Sequence, residues 1–361
     1  MQKTRGKVTE KVTTAIGTSN IAFVKYWGRR EERINLPMNS SISMTLDDTM
    51  STKTSVIFSN DMDCDRLFID GKEEDLRGEP SEKSKFTMDM LNYLRIISNQ
   101  DAHVLIVSEN GFPSSSGLAS SASGGATLAF ALSHALNLGL SQREISIIAR
   151  RISGSACRSV YGGIVKWNKG SKADGSDSYA EQVVNENYWS DLTDIIAIAD
   201  PSKKKVSSST GHSSTIRTSS LYASRPAFAE EGTGIVASAV LSKDFQKLAE
   251  AIMRDSNNMH ATMLDTWPPI IYLTDTSRDI MYAIHELNLR SGQYVAAYTF
   301  DAGANAHIIT TARHANEILD LLKDVPGVTD TIKSKSGSGP RILGDDASLI
   351  DADALIPLKR R

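Results

Sequence analysis

The spacing of hydrophobic positions changes along the chain, and the changes predict its elements. Residues 12–26 and 40–58 are rich in Val, Ile, Thr and Ser, the composition of strands. Arg66–Lys72 reads as a hairpin turning at Asp70–Gly71, a pair suited to the positive-φ backbone of a tight turn. Over 84–98 the period lengthens, with Phe86, Met90, Leu91 and Leu94 recurring at helical spacing. A strand follows at His103–Val107, then a Gly/Ser-rich loop at 111–121, then an apolar helix to about Leu138. Ser141, with Glu144 three residues on, fits a capping box and opens a second helix. Ile164–Trp167 and Ile195–Ala199 read as strands. Beyond about residue 190 the order becomes helix 243–257, helix 274–290, hairpin 294–311 and helix 313–323. The polar stretch 168–192 is the candidate boundary. It divides the chain into 1–190, the lobe with the Gly/Ser-rich loop, and 191–361. Strand-rich sequence followed by mixed sequence predicts an α+β fold of two lobes facing a shared cleft.

Composition narrows the class. A chain of 361 residues is long enough for two domains or one large two-lobed body. Hydrophobic residues at 40% and charged residues at 23% fit a soluble globular enzyme. A net charge of −3 with interspersed signs gives no reason to expect nucleic acid as a partner. Cys64 and Cys157 are too few for a disulfide framework or a Cys-based zinc site, so both are expected as free thiols. The histidines show no metal-ligand spacing. No run approaches the roughly 18 apolar residues of a membrane span. MQKTRGKVTEKV lacks the apolar stretch of a secretory signal, so the expected location is the cytoplasm.

The most informative segment is Pro113–Gly124, PSSSGLASSASG, between a strand and an apolar helix. Free N–H groups and the helix dipole at such a start favour an anion. Gly117 permits close backbone approach, and the Ser120 and Ser121 hydroxyls can donate to phosphate oxygens or bind a metal. The Gly-Lys-Ser/Thr ending of a Walker loop is missing. Three charged residues also stand out. Lys25 follows the apolar run IAFV and is either a solvated strand-end charge or a cleft cation. Arg158 sits among small residues that leave its guanidinium open to a carboxylate or phosphate, or else it makes a surface ion pair. Asp301 ends an apolar strand, where a carboxylate is either a turn former or a paired, functional group.

The run P-x-x-x-G-L-x-S-S-A resembles the phosphate-binding motif of the kinases of galactose, homoserine, mevalonate and phosphomevalonate, the GHMP superfamily. Further segments resemble the diphosphomevalonate decarboxylase family. They are SNIAFVKYWGRR (Ser19–Arg30), LPMNSSISMTL (Leu36–Leu46), SGSACRSVYGG (Ser153–Gly163), DSNNMHATMLDTWPP (Asp255–Pro269), YTFDAGANA (Tyr298–Ala306) and SGSGPRILGDDASLID (Ser336–Asp351). The resemblance covers nearly the whole chain beyond the first dozen or so residues.

The resemblance implies a GHMP-kinase-like fold and ATP-dependent conversion of mevalonate 5-diphosphate to isopentenyl diphosphate, CO2, ADP and phosphate. It implies that Asp301 faces the substrate's 3-hydroxyl, with Lys25 beside it and Arg158 on the substrate carboxylate. Ala22, Tyr26, Ser153 and Ser155 would help hold the substrate. Ser114, Gly117, Leu118, Ala119, Ser120 and Ser121 would hold ATP, with Ser121 also on Mg2+. Lys203–Lys205 and Ser207–Ser219 look like a mobile loop rich in donors, which would either close over phosphates, with Lys205 and Arg217 as contacts, or be a plain polar surface loop. His260 and Asp265 are given no role. A homodimer is also implied.

The chain departs from the family pattern at Ala304, where proline is usual, and at His212, where methionine is expected. Pro80–Lys85 does not clearly reproduce the polar segment that helps hold adenine. Two related chemistries therefore stay open: ATP-independent decarboxylation of mevalonate 3,5-bisphosphate, and ATP-dependent decarboxylation of mevalonate 5-phosphate. A non-catalytic ATP-binding homologue is a remote third alternative.

Overall fold

The structure, a computed structural model, describes residues 11–112, 120–199 and 206–351. Along the chain come β1 (Thr13–Thr18), β2 (Asn20–Val24), β3 (Arg29–Glu31), β4 (Leu36–Pro37), β5 (Ser41–Thr45) and β6 (Ser51–Ser59). The hairpin β7 (Arg66–Ile69) and β8 (Lys72–Glu74) follows, then α1 (Glu82–Ser98), β9 (His103–Asn110), α2 (Ser120–Ala135) and α3 (Gln142–Ile152). Next are β10 (Ile164–Trp167), β11 (Ala180–Val184), β12 (Leu192–Ile198), α4 (Ser208–Thr218), α5 (Arg225–Ser242), α6 (Phe245–Leu264) and α7 (Asp275–Ser291). The chain closes with β13 (Ala296–Phe300), β14 (Ala306–Thr311), α8 (Ala315–Lys323), β15 (Asp330–Lys335) and β16 (Arg341–Ile342).

Local signals account for many of these boundaries. Asp70 and Gly71 both take positive φ, so the β7–β8 turn forms where the pattern places it. Ser81 caps α1 by accepting the Ser84 N–H. Ser141 and Glu144 form the full capping box of α3. Two helices differ from the sequence expectation. Ser207–Ser219, expected as a mobile loop, is mostly the helix α4, capped by Ser207. Its buried face is Gly211, His212 and Thr215, small or polar groups that leave no apolar stripe to read. Helix α5 carries buried Ala229, Val236, Ala239 and Val240 and was not anticipated.

The strands form a six-stranded sheet in the order β16-β1-β6-β9-β7-β8, with β7 and β9 parallel, and two four-stranded sheets, β11-β10-β5-β2 and β13-β14-β12-β15. Helices α1, α2 and α3 cover the six-stranded sheet through Met90, Leu94, Ala126, Ala129, Ile145 and Ile148. Helices α5 and α6 pack between the two four-stranded sheets. Val236, Val240, Leu248 and Ile252 share one core with Phe23, Ile42, Ile196 and Ile309. Helices α7 and α8 cover the outer side of the last sheet through Ile280, Ile284, Ile318 and Leu322.

The division at residue 190 does not describe the end of the chain. β15 pairs with β12, but β16 pairs with β1 across the molecule. Gly337 makes this return possible: a Cβ there would lie 2.2 Å from the Leu46 carbonyl oxygen. Among the described residues no helix is long and apolar enough to cross a membrane.

Candidate active site

A cavity of about 150 Å3 opens where β2, the N-terminus of α2, the 3-10 segment Gly154–Val160, α4 and the turn after β13 converge. Its wall includes Ala22, Lys25, Tyr26, Ser121, Ser153, Ser155, Arg158 and Asp301. These eight residues, singled out from distant stretches of sequence, thus share one cavity.

Lys25 stands one residue beyond the end of β2 and is 2% exposed. Its Nζ donates to Asp301 Oδ1 at 2.6 Å. Asp301 follows β13, and its side chain, paired with Lys25, keeps 40% of its exposure and lines the cavity.

Arg158 is 3% exposed. Its guanidinium donates to Ser41 Oγ at 2.6 Å, to Ser43 Oγ at 3.0 Å and to Asn20 Oδ1 at 3.2 Å. All three acceptors are neutral, and among the described residues no carboxylate makes an ion pair with it. Burial pushes its pKa down, while Cys157, Asp301 and Tyr26 oppose that shift. Arg158 is therefore a buried cation oriented by neutral groups at the cavity wall. Neighbouring Cys157 is buried, and desolvation pushes its thiol up to about 12, so it is inert at neutral pH.

Glycine shapes this wall at two points. A Cβ on Gly154 would come within 2.5 Å of the Tyr26 ring, so Gly154 makes room for that ring. Gly28, at φ +101°, turns the chain so that its N–H donates to His212 Nδ1 at 2.7 Å. An acceptor Nδ1 leaves the proton of neutral imidazole on Nε2. Burial, with Arg29 adding to it, holds the His212 pKa well below the usual range. His212 lines the cavity, stacked 4.4 Å from Trp27.

Other wall residues escaped the sequence reading. Asn20 donates to Ser159 Oγ and to the Ser155 carbonyl, which aims its own oxygen at Arg158. Arg29 donates to Tyr26 Oη and to Ser209 Oγ at the start of α4. Ser208 and Met259 complete this side. A buried asparagine inside an apolar strand was the one readable sign of Asn20. Arg217, expected on phosphate, lies exposed near the end of α4 and does not line the cavity, because the helix turns it away from the His212 face. Ser114, Gly117, Leu118, Ala119 and Lys205 lie outside the described residues.

A second cavity, about 110 Å3, shares Ser121 and Ser153 with the first. Its lining joins apolar Leu67, Ile69, Ile106 and Leu128 to Ser120, Ser121 and Gly124 at the start of α2. A Cβ on Gly124 would meet nothing within 4 Å among the described residues. A helix N-terminus with hydroxyls and an apolar wall suits the phosphates and base of a nucleotide. No group of three His, Cys, Asp or Glu side chains suited to a metal occurs among the described residues. Mg2+ keeps most of its waters and needs few protein ligands beside a bound phosphate, a demand Ser121 can meet.

Residues 17–180 match the model of the diphosphomevalonate decarboxylase-like N-terminal domain, and residues 194–344 that of the mevalonate 5-diphosphate decarboxylase C-terminal domain. The chain belongs to the diphosphomevalonate decarboxylase family. Its fold is the GHMP-kinase-like α+β fold, and the chain is a decarboxylase-family enzyme. A diphosphomevalonate decarboxylase of Aspergillus fumigatus is 40% identical over 345 residues, covering 91% of this chain and 83% of the relative. The solved mevalonate diphosphate decarboxylase of Trypanosoma brucei superposes with a TM-score of 0.86 at 33% identity, covering 94% of this chain and all of the other. Another solved structure, in complex with MVAPP, AMPPCP and magnesium, superposes with a TM-score of 0.83 at 32% identity, covering 92% of this chain and 98% of the other.

Within this family member, His260 packs behind the Lys25–Asp301 pair, with Nε2 3.4 Å from the Phe300 carbonyl oxygen. Burial lowers its pKa to about 4, Lys25 adds to the shift, and the Phe300 carbonyl opposes it. The unfolded chain takes up this proton near pH 6.5. The stability from His260 is therefore present above pH 6.5 and lost as pH falls from there towards 4. The full loss amounts to about 3 kcal/mol. Chemical denaturation between pH 7 and pH 5 should give a shallower loss of stability in His260→Gln than in the parent. An unchanged slope would remove His260 from the account.

Proposed function

We propose that this protein catalyses ATP-dependent decarboxylation of mevalonate 5-diphosphate, giving isopentenyl diphosphate, CO2, ADP and phosphate. One observation carries the proposal: a buried guanidinium that makes no ion pair with a carboxylate among the described residues faces the same cavity as a lysine–aspartate pair. The substrate offers a group for each. Its carboxylate suits Arg158, and its 3-hydroxyl suits Asp301.

Hydroxide is a poor leaving group from C3, and phosphate is a far better one. In the first step Asp301 orients the 3-hydroxyl and takes its proton as the oxygen attacks the terminal phosphorus of ATP, and the bridging P–O bond breaks so that ADP leaves with its electron pair. Lys25 balances the negative charge that gathers there. In the second step the C3–O bond breaks and phosphate leaves. The electrons of the bond to the carboxylate become the new C=C bond, and CO2 departs. Arg158 fixes the orientation of the bond that breaks. Tyr26, Ser153 and Ser155 line the space left for the rest of the substrate. In this reading Ser120, Ser121 and the α2 N-terminus would hold the nucleotide phosphates, and Ser121 would offer a hydroxyl to Mg2+, which when bound would neutralise charge on the transferred phosphoryl group.

The test is CO2 release from purified protein given mevalonate 5-diphosphate, mevalonate 5-phosphate or mevalonate 3,5-bisphosphate, each with and without ATP. Release from the 5-diphosphate with ATP, matched by ADP, is the expected result. Release confined to the bisphosphate without ATP would replace this reading with its ATP-independent relative.

A further inference from the structure

Lys25 has no strand partner to hold it. The β2–β5 ladder ends at the Val24–Ile42 pair, one residue short of Lys25. Its backbone groups are nevertheless buried and need partners. They find them on the helices behind the cavity. The Lys25 N–H donates to Asp255 Oδ2 at 2.7 Å. The Lys25 carbonyl accepts from Arg225 Nη2 at 3.2 Å and from Asn39 Nδ2 at 3.0 Å. Arg225 opens α5 and Asp255 lies in α6, and the two are joined by a fork of 2.7 and 3.1 Å. Both are buried, at 0% and 1% exposure, and Asn258 Oδ1 takes a further Arg225 N–H at 3.0 Å.

We propose that the Arg225–Asp255 ion pair is the positioning device of the active site: it clamps both backbone groups of Lys25 and so sets the ammonium against Asp301. Neither residue touches the reacting atoms through this contact. The pair acts through Lys25, whose side chain reaches Asp301 from a backbone that no β-ladder fixes. The planar guanidinium suits this task because one fork meets Asp255 while Nη2 also reaches a carbonyl. An ammonium of lysine would keep the charge and lose that geometry. A buried ion pair is weak evidence of stabilisation, whereas orienting a backbone segment gives it a role.

The inference rests on the proposed reaction, and its test separates the two. The parent enzyme is assayed first, since silence there with every substrate would count against the reaction and leave the clamp to be judged by geometry. Asp255→Asn and Arg225→Lys are then compared with it, with turnover counted per nucleotide-binding site measured by titration calorimetry. Misfolded protein is thereby excluded from the count. A displacement of about 1 Å at the reacting groups lowers turnover by roughly 10²-fold. Both variants are expected to lose kcat on that scale while KM for mevalonate 5-diphosphate and ATP stays within about threefold. Crystal structures of the variants should show the Lys25–Asp301 contact lengthened from 2.6 Å. Wild-type kcat per site, or an unchanged contact in both variants, overturns the proposal. One measurement needs no variant: hydrogen exchange of the Lys25 amide in the parent should be as slow as in β2. Loop-like exchange at that amide would equally overturn the clamp.

Discussion

Asp301→Asn should bind both substrates and still fail to turn over, with CO2 release and ADP formation falling together by roughly 10²–10⁴-fold. Asparagine keeps the shape of the side chain and cannot take the proton of the 3-hydroxyl. The change also strips Lys25 of its counter-charge at 2.6 Å. Lys25 is 2% exposed, and a neutral amide oxygen takes the place of the carboxylate beside it. Both products fall together because decarboxylation waits on phosphate being installed at C3. Wild-type-like turnover would reject the assignment, and so would ADP formation that survives while CO2 release disappears.

The second large effect is expected at Arg158. Arg158→Lys keeps a positive charge in the same strand-lined recess, but a single ammonium cannot span Ser41, Ser43 and Asn20 as the guanidinium does. A hydrogen bond to a charged group is worth about 1.5–3 kcal/mol, so losing the fork on the substrate carboxylate should lower kcat/KM by roughly 10–10²-fold. Arg158→Met should fall further, because no cation remains. Calorimetry with an analogue lacking the carboxylate distinguishes the role from general damage. If Arg158 holds that carboxylate, parent and Arg158→Lys should bind the analogue equally well. A variant as weak on the analogue as on the substrate would show that Arg158 serves another part of the ligand.

The two effects differ in how readily the sequence revealed their sources. Lys25, Arg158 and Asp301 were legible as candidates because each is a charged residue set in apolar or small-residue surroundings. The family resemblance gave each an expected role. Asp255 lay inside the matched stretch Asp255–Pro269 and drew no attention, and Arg225 lay outside every matched stretch. Nothing local marks them, since an aspartate within a helix and an arginine at a helix start are ordinary surface residues until packing buries them. Arg217 shows the opposite failure: a cation in a promising polar segment that helix α4 turns outward.

The sequence by itself determined what short-range physics governs. It placed the Asp70–Gly71 turn, the Ser141–Glu144 capping box, and most strands and helices. Each depends on dihedral preference or hydrogen bonds within a few residues. Only the tertiary structure decided the pairings between distant stretches. Lys25 meets Asp301 across 276 positions, the Arg225–Asp255 fork grips the end of β2, and β16 returns to β1. Burial in the assembled core governs those contacts. It makes an unpaired charge costly and a well-placed partner decisive, and no window of sequence contains both partners.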